Sequence, residues 1–302
     1  MSHQESSSKA IFYALVANLG IAIAKSVAAF LTGSGSMLAE AVHSFADCGN
    51  QLLLFFGLHR SKMPPTREHP LGFGKVVYFW SFLVAILLFS VGGLFSVQEG
   101  IHKLVHPEPL QHVPIAIGVL FFSAALESFS MYGCIREINK IKGRKTFWQW
   151  LKSSRNAEFI VVLGEDTAAL IGLVVALFFI VLSYITNNPV FDALGSLVIG
   201  VILVIVAFFI SMRVKALMVG MSADPELEDR IESLIEKDKA IVRVFNIITQ
   251  QFGPHLMLAA KIEMKPDLTI KKASIKINEL EKNLKAEFPE IRWCFIEPDV
   301  AK

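Results

Sequence analysis

Six long apolar stretches constrain the fold of this chain more than any other feature of its sequence. They are residues 10–31, 36–58, 76–100, 113–134, 157–185 and 190–212. A helix needs about 20 mostly apolar residues to cross a bilayer, and each stretch meets that length. Only 19% of the residues are charged, whereas about 25% is typical of soluble domains. The sequence predicts an α-helical membrane protein with six transmembrane helices in residues 10–215, after a cytoplasmic tail of residues 1–9.

The basic residues of the loops predict the orientation of the helices. They follow helices two, four and six: Arg60, Lys62, Arg67 and Lys75; then Arg136, Lys140, Lys142, Arg144, Lys145, Lys152 and Arg155; then Arg213 and Lys215. The opposite loops carry only Lys103. Since Lys and Arg accumulate on the cytoplasmic side, we expect both termini to be cytoplasmic. The expected location is a cell (inner) membrane, with the lipid bilayer in direct contact with the protein.

Residues 216–302 have a different character, with many charges and short alternating patterns. Residues 224–239 and 268–288 have helical periodicity, whereas 242–251, 256–264 and 291–296 are typical of strands. This order predicts a small cytoplasmic α+β domain with an α-β-β-α-β arrangement. A net charge of only +2 does not favour nucleic-acid binding. The chain contains no HExxH, GxSxG or P-loop motif, so we do not expect an enzyme.

The second apolar stretch contains the ionisable residues Glu40, His43 and Asp47. Ionisable groups inside a membrane span are costly and are therefore functional candidates. Residues four apart project from one face of a helix, so His43 and Asp47 can bind one ion together. Imidazole and carboxylate groups suit zinc and similar first-row cations. The sequence therefore predicts a metal site on this helix.

The fifth stretch supplies the adjacent carboxylates Glu165 and Asp166. At 1.5 Å per residue, Asp47 lies about 16 Å from the outer end of its helix and Asp166 about 14 Å from the inner end of its own. Both depths are near the middle of a core about 30 Å thick, so the groups can meet. The alternative is an intramembrane ion pair or helix–helix hydrogen bond. We expect Lys25 to extend outward, which leaves no basic residue at that depth.

The motifs taken together resemble the cation diffusion facilitator family. They include the turn Gly33-Ser-Gly-Ser36, the segment Ala41-Val-His-Ser-Phe-Ala-Asp47, and His69-Pro-Leu-Gly-Phe-Gly-Lys75 before the third helix. The six-helix order and the Asp on helix five complete the resemblance, which covers nearly the whole chain. It implies a metallochaperone-like cytoplasmic domain, exchange of metal for protons, and homodimers formed through the cytoplasmic and transmembrane domains.

The resemblance also implies four metal ligands, two from helix two and two from helix five. Val162 occupies the position where the family commonly has His or Asp, four residues before Asp166. The predicted ligands are His43, Asp47 and Asp166, and the fourth is either Glu165 or a water. The family often has a second His where this loop has Phe73, so His69 is interpreted as a structural loop residue. His255 is interpreted as a turn residue.

The predicted function is export of a divalent metal cation from the cytoplasm in exchange for protons, by alternating access around the midplane site. Zinc is the expected ion, and the carboxylate-rich ligand set leaves Mn²⁺, Fe²⁺ and Co²⁺ open. We expect no cofactor other than the transported ion. The alternative is a non-transporting scaffold or regulator of the same fold, which the missing ligand at Val162 favours. Glu127 could line an inner vestibule or accept an interhelical hydrogen bond.

Overall fold

The computed structural model describes the backbone of residues 2–300, and the side chains of Leu15 and of residues 18–300. The membrane domain follows the predicted order of helices. Its elements are α1 (Ser2–Thr32), α2 (Gly35–Ser61), α3 (Val76–Leu87), a π-helical segment (Leu88–Leu94), α4 (Phe95–Val105), α5 (Val113–Ile141), α6 (Phe147–Ser153), α7 (Ala157–Thr186) and α8 (Val190–Val219). The first helix starts eight residues before the predicted position. The third span is one continuous helix with a π-helical interruption.

Four of these spans are clearly long and apolar enough to cross a membrane: residues 76–105, 113–141, 157–186 and 190–219. The described side chains of α1 form a shorter apolar segment from Asn18 to Thr32, and α2 has buried polar residues along its length. Large hydrophobic side chains such as Phe30, Phe129 and Phe208 are mostly exposed. A belt of exposed apolar side chains is expected where lipid replaces water as solvent. The chain is an integral multi-pass membrane protein.

Small residues allow α8 to approach the third span closely. A Cβ on Gly93 or Gly100 would lie 2.7 Å from a side-chain atom of Val204 or Leu197, respectively, and a Cβ on Gly200 would lie 2.7 Å from Val97. Such distances are too short for real contacts, so only glycine permits this packing. Small residues commonly bring membrane helices together in this way. The close packing holds the π-helical segment at a fixed position beside α8.

The C-terminal part, which the sequence predicts to be cytoplasmic and which is called the cytoplasmic part below, has the predicted α-β-β-α-β order. Its elements are α9 (Pro225–Glu236), β1 (Ile241–Phe252), β2 (His255–Met264), α10 (Ile270–Glu287) and β3 (Ile291–Asp299). The sheet order is β1-β2-β3, with β1 and β2 antiparallel and β2 and β3 parallel. Alternate residues of β2 point into a core shared with both helices. That core includes Ile231, Ile235, Leu256, Leu258, Ile262, Leu280, Leu284 and Cys294.

Two contacts join the cytoplasmic part to the membrane domain. The tip of the β1–β2 hairpin reaches the start of α3, where the Gly253 N–H donates to Tyr78 Oη at 3.0 Å. The Lys75 ammonium lies 4.6 Å from the centre of the Phe252 ring. Position 74 accepts only glycine, because a Cβ there would overlap the Phe252 carbonyl. The second contact involves the segment between α5 and α7 and is described with the site.

Candidate metal site in the membrane domain

The start of α2 is fixed by a carboxylate from another helix. Ser34 caps α2 by accepting from the Met37 N–H. The Asp192 carboxylate, in the first turn of α8, accepts from the Ser34 hydroxyl at 2.6 Å, the Gly35 N–H at 2.6 Å and both donors of Ser36. A carboxylate at a helix N-terminus satisfies N–H groups that have no partner within the helix. Asp192 was not identified from the sequence, although its place opposite the serine-rich turn was a usable signal.

The predicted pair on α2 is brought together in the middle of that helix. His43 Nε2 lies 3.6 Å from Asp47 Oδ2, and the side chains are 1% and 15% exposed. Both ring nitrogens of His43 and Asp47 Oδ1 are buried without a hydrogen-bond partner among the described residues. Buried polar atoms are normally satisfied, so each exception calls for an explanation. Free nitrogen and oxygen donors on one helix face can coordinate a cation.

The π-helical segment of the third span borders this pair. A Cβ on Gly92 would lie 3.9 Å from His43 Nδ1. Single π-helical turns occur frequently at functional sites because they shift the side chains of one helix relative to its neighbours. Apart from the Gly92-Gly93 pair, no sequence feature indicates this irregularity.

The two α7 carboxylates contact different helices. Glu165 Oε1 accepts from Asn50 Nδ2 of α2 at 2.6 Å, so Asn50 joins α2 to α7. Asp166 is 9% exposed, and its Oδ2 lies 3.3 Å from the Ser130 hydroxyl of α5. Val162, at the position of the missing ligand, packs against the apolar core of the membrane domain.

The predicted ligands do not form a closed shell. Among the described residues, no group of three or more His, Cys, Asp or Glu side chains is arranged to hold a metal ion. Asp47 is nevertheless an electrostatic neighbour of both Glu165 and Asp166. The α2 pair is therefore together, the α7 carboxylates lie nearby, and a common shell would require them to approach. The ligand set His43, Asp47, Asp166 and Glu165 stays a prediction.

Glu127 of α5 faces the same region. It lines a narrow crevice, too small for a water molecule, with Asn18, Ile21, Ser44 and Asp47. It is half-buried and is an electrostatic neighbour of Asp166. This position places a further carboxylate beside Asp47, between α1, α2 and α5.

The expectation for Lys25 was wrong. Its side chain is fully buried, and its ammonium donates to Glu40 Oε2 at 3.0 Å and to the Ser44 hydroxyl at 2.8 Å. Lys25 shares one face of α1 with other buried residues, namely Ile21, Ala22, Ala28 and Ala29. That face packs against α2, so the side chain has no direct path to the membrane surface. A basic residue is therefore available near the predicted site.

The two histidines outside the membrane have local structural contacts. The His69 ring packs edge-on against Phe73 at 4.6 Å between centroids, and its carbonyl accepts from the Gly72 N–H. His255 begins β2 and lies 6.2 Å from the Trp293 ring. Burial and the charge of Arg292 lower the pKa of His255. These contacts agree with the interpretation of both residues as structural.

The basic segment between α5 and α7 contacts the cytoplasmic part. Lys145 pairs with Asp224, the N-cap of α9, and the Arg155 Nε donates to the Ser222 carbonyl at 2.8 Å. Burial opposes ionisation of Asp224, but bonds from Lys145 and Ser153 outweigh it and lower the pKa of that carboxyl. The basic residues of this segment predict the orientation of the helices, and the structure adds a contact between domains.

Comparison with known proteins matches two family models to consecutive parts of the chain. The family described as cation efflux transmembrane domain matches residues 11–218, and the cation efflux protein cytoplasmic domain matches residues 223–299. A solved structure of the MamM CTD covers 25% of this chain and 96% of its own, at 13% identity and a TM-score of 0.24.

Several curated proteins are similar to the chain. The proton-coupled zinc antiporter SLC30A9, mitochondrial, of Mus musculus is 35% identical over 232 residues, or 76% of this chain. The human protein of the same name is 32% identical over 231 residues. In both cases the match spans 41% of the relative's length. The manganese efflux system protein MneP of Bacillus subtilis is 23% identical over 97% of this chain and 96% of its own.

The two family matches cover the membrane helices and the three-stranded cytoplasmic part, in the order in which the structure places them. The predicted resemblance is thereby confirmed: this chain belongs to the cation efflux, or cation diffusion facilitator, family.

Proposed function

We propose that this chain exports divalent metal cations, with zinc as the first candidate, in exchange for protons. The cation would bind at His43 and Asp47 of α2 and Asp166 of α7. The single observation that carries the proposal is the buried α2 pair. Its two ring nitrogens and one carboxylate oxygen have no hydrogen-bond partner in the described structure. A cation would supply the interaction that these atoms lack.

The names of relatives support this type of cargo. The mouse and human relatives are named proton-coupled zinc antiporters, and the relative that matches nearly full length is named a manganese efflux system protein. One imidazole with carboxylates suits zinc, whereas a carboxylate-rich set also suits manganese. Zinc remains our first candidate, and Mn²⁺, Fe²⁺ and Co²⁺ are the alternatives.

The proposed mechanism is alternating access. Metal from the cytoplasm binds when the site is open inward, and the α7 carboxylates approach the α2 pair. The helices then rock so that the site opens outward. Metal ligands must be deprotonated to bind, so protons compete with the metal for them. An imidazole changes charge near neutral pH, which lets a proton gradient drive release.

Assembly and location belong to the same proposal. We propose that the protein works as a homodimer, with contacts through its cytoplasmic and transmembrane domains, in a cell (inner) membrane. The mouse relative is named as mitochondrial, so a mitochondrial membrane is the alternative location. Localisation of a tagged chain in its own cell, with crosslinking of the native membrane, checks both points.

The test is metal flux in proteoliposomes with an imposed pH gradient. His43→Ala, Asp47→Ala and Asp166→Ala should each abolish zinc uptake while the purified variants keep the elution profile of the native protein. Thr186→Ala, at the exposed end of the helix that carries Asp166, is the control and should retain uptake. Full flux in all three ligand variants would show that the site is wrong.

The second candidate is a non-transporting member of the family that acts as a scaffold or regulator. Val162, an apolar side chain at a customary ligand position, is the observation that favours it. Equilibrium metal binding separates the candidates before any flux is measured. A transporter should bind one metal per protomer in a manner that depends on Asp47, whereas a scaffold should show no such dependence.

A further inference from the structure

The ion pair between Lys25 and Glu40 is buried completely inside the membrane domain. The Lys25 ammonium lies 3.0 Å from Glu40 Oε2, and both side chains are 0% exposed. Desolvating two charges costs several kcal/mol, and apolar replacements of such pairs are often neutral or stabilising. Stability alone therefore does not explain why the chain has this pair, and its surroundings supply another reason.

Glu40 lies on the same helix face as the proposed ligands. Glu40, His43, Ser44 and Asp47 follow the spacing i, i+3, i+4 and i+7, which places their side chains along one side of α2. Lys25 also donates to the Ser44 hydroxyl at 2.8 Å, and Ser44 lines the crevice that contains Asp47. Without Lys25, α2 would present a second carboxylate about one turn from His43.

The other oxygen of Glu40 faces α7. Glu40 Oε1 is buried without a hydrogen-bond partner among the described residues, and a Cβ on Gly172 would overlap it. Gly172 follows Asp166 by six residues on the helix that carries the remaining ligands. Glu40 therefore lies between the two helices that would enclose the ion, and Lys25 is the one described residue that bonds its carboxylate.

We propose that Lys25 keeps Glu40 out of the ion-binding shell and thereby sets how tightly the site holds its cation. This inference rests on the proposed function. A divalent cation would attract a free Glu40 carboxylate, and the additional anion would strengthen binding and slow release. Lys25 supplies a fixed positive charge that satisfies Glu40 instead. In this role Lys25 and Glu40 are positioning residues that determine affinity, and neither is a ligand.

The test compares single and double variants in the zinc flux assay. Lys25→Met should lower KM by at least about tenfold, which is the scale for two unit charges at roughly 10 Å through an effective dielectric of about 20, because the cation carries two charges. Its maximal rate should fall as well, because release slows. Glu40→Gln leaves the ammonium without its counter-charge, so KM should rise by a similar factor. These opposite signs distinguish an electrostatic role from a structural one.

The remaining variants serve as controls. Lys25→Met/Glu40→Gln should return KM to within about threefold of the native value, because the two charges are removed together. Lys25→Arg keeps the charge and should keep KM. Val27→Ala, on an exposed face of the same helix, should leave both KM and the maximal rate unchanged. If Lys25→Met does not fold, the KM values of Glu40→Gln and of the double variant still test the predicted direction of the change.

Three outcomes would overturn the inference. An unchanged KM in both single variants, with less folded protein, would make the pair purely structural. A fall in KM for Glu40→Gln would reverse the predicted sign. Absence of metal flux in the native protein would remove the proposed function and this inference together, whereas native flux lost in Asp47→Ala, with KM insensitive to Lys25, would remove the inference alone.

Discussion

Two aspartates of the membrane domain, Asp192 and Asp47, have opposite surroundings. The Asp192 carboxylate accepts hydrogen bonds from Ser34, Gly35 and Ser36, and neither of its oxygens lacks a partner. The Asp47 carboxylate has an imidazole at 3.6 Å and one buried oxygen without a partner. A satisfied buried carboxylate holds the fold together, whereas an unsatisfied one is available to an external ligand. The comparison separates structural from functional carboxylates within one domain.

The largest effect is expected at Asp47. Asp47→Asn should lower zinc flux by at least about 100-fold, since even groups that only support metal ligands contribute 10–100-fold to affinity. The thermal midpoint should stay unchanged or rise, because a costly buried charge has been removed. Flux in proteoliposomes and thermal unfolding of the purified protein measure the two quantities. A variant that transports normally would place Asp47 with Asp192 as a structural group.

The second effect is a loss of stability at Asp192. Asp192→Ala removes the acceptors for the first turn of α2 and should destabilise the protein by about 2–4 kcal/mol. The thermal midpoint should fall while the KM of the remaining folded protein is unchanged. Asp192→Asn keeps one acceptor, so its thermal midpoint should lie between those of Asp192→Ala and the native protein. A changed KM with a normal midpoint would contradict the structural assignment.

Glu165 is the intermediate case and sharpens the comparison. Its carboxylate has one partner, Asn50, but it also neighbours Asp166. Glu165→Gln can keep the bond to Asn50 while it loses the charge, so flux should fall by roughly tenfold, the lower end of the range for supporting groups. Asn50→Ala is the matched variant at the other end of the bond. A loss as large as that of Asp47→Asn would make Glu165 the fourth ligand.

The smallest effect is expected at the contact between Lys145 and Asp224. Lys145→Ala should lower stability by about 1 kcal/mol, since the pair is partly exposed. The lowered pKa of Asp224 means that its contribution is present above the ordinary value of 3.8 and is lost as pH falls below it. Thermal unfolding at pH 7 and at acidic pH measures both effects.

The matched control for this contact is Lys140→Ala. The Lys140–Glu137 pair is more than half exposed, so its loss should change stability by less than about 0.5 kcal/mol. Equal effects of the two lysine variants would show that the contact between domains contributes no more than an ordinary surface pair.

The sequence was sufficient for the architecture because apolar length and helical or alternating periodicity are local properties. It predicted the helix order, the α-β-β-α-β part and the proximity of His43 to Asp47. It failed for Lys25, because depth along a helix does not reveal which face of α1 packs against α2. A usable signal was present: Lys25 precedes the end of α1 by seven residues, and Glu40 follows the start of α2 by five. Opposite charges at similar depths in a helical hairpin can meet.

Other features depended on tertiary packing that no local pattern reveals. The bond from Asn50 to Glu165 decides which way that carboxylate points, and it joins residues 115 positions apart. The π-helical segment lies directly against α8, which approaches it closely at Gly93 and Gly200. The partners of Asp192 lie more than 150 positions away. In each case the residue type was visible in the sequence, but its partner was not.

X-ray absorption at the zinc edge tests the central claim most directly, with one equivalent of zinc bound to the purified protein. The proposed site predicts one imidazole nitrogen and otherwise oxygen ligands at about 2.0–2.2 Å. The imidazole signal should disappear in His43→Gln and persist in Asp192→Asn. A sulfur ligand near 2.3 Å, more than one imidazole, or an imidazole signal unchanged in His43→Gln would contradict the assignment of the ion to α2.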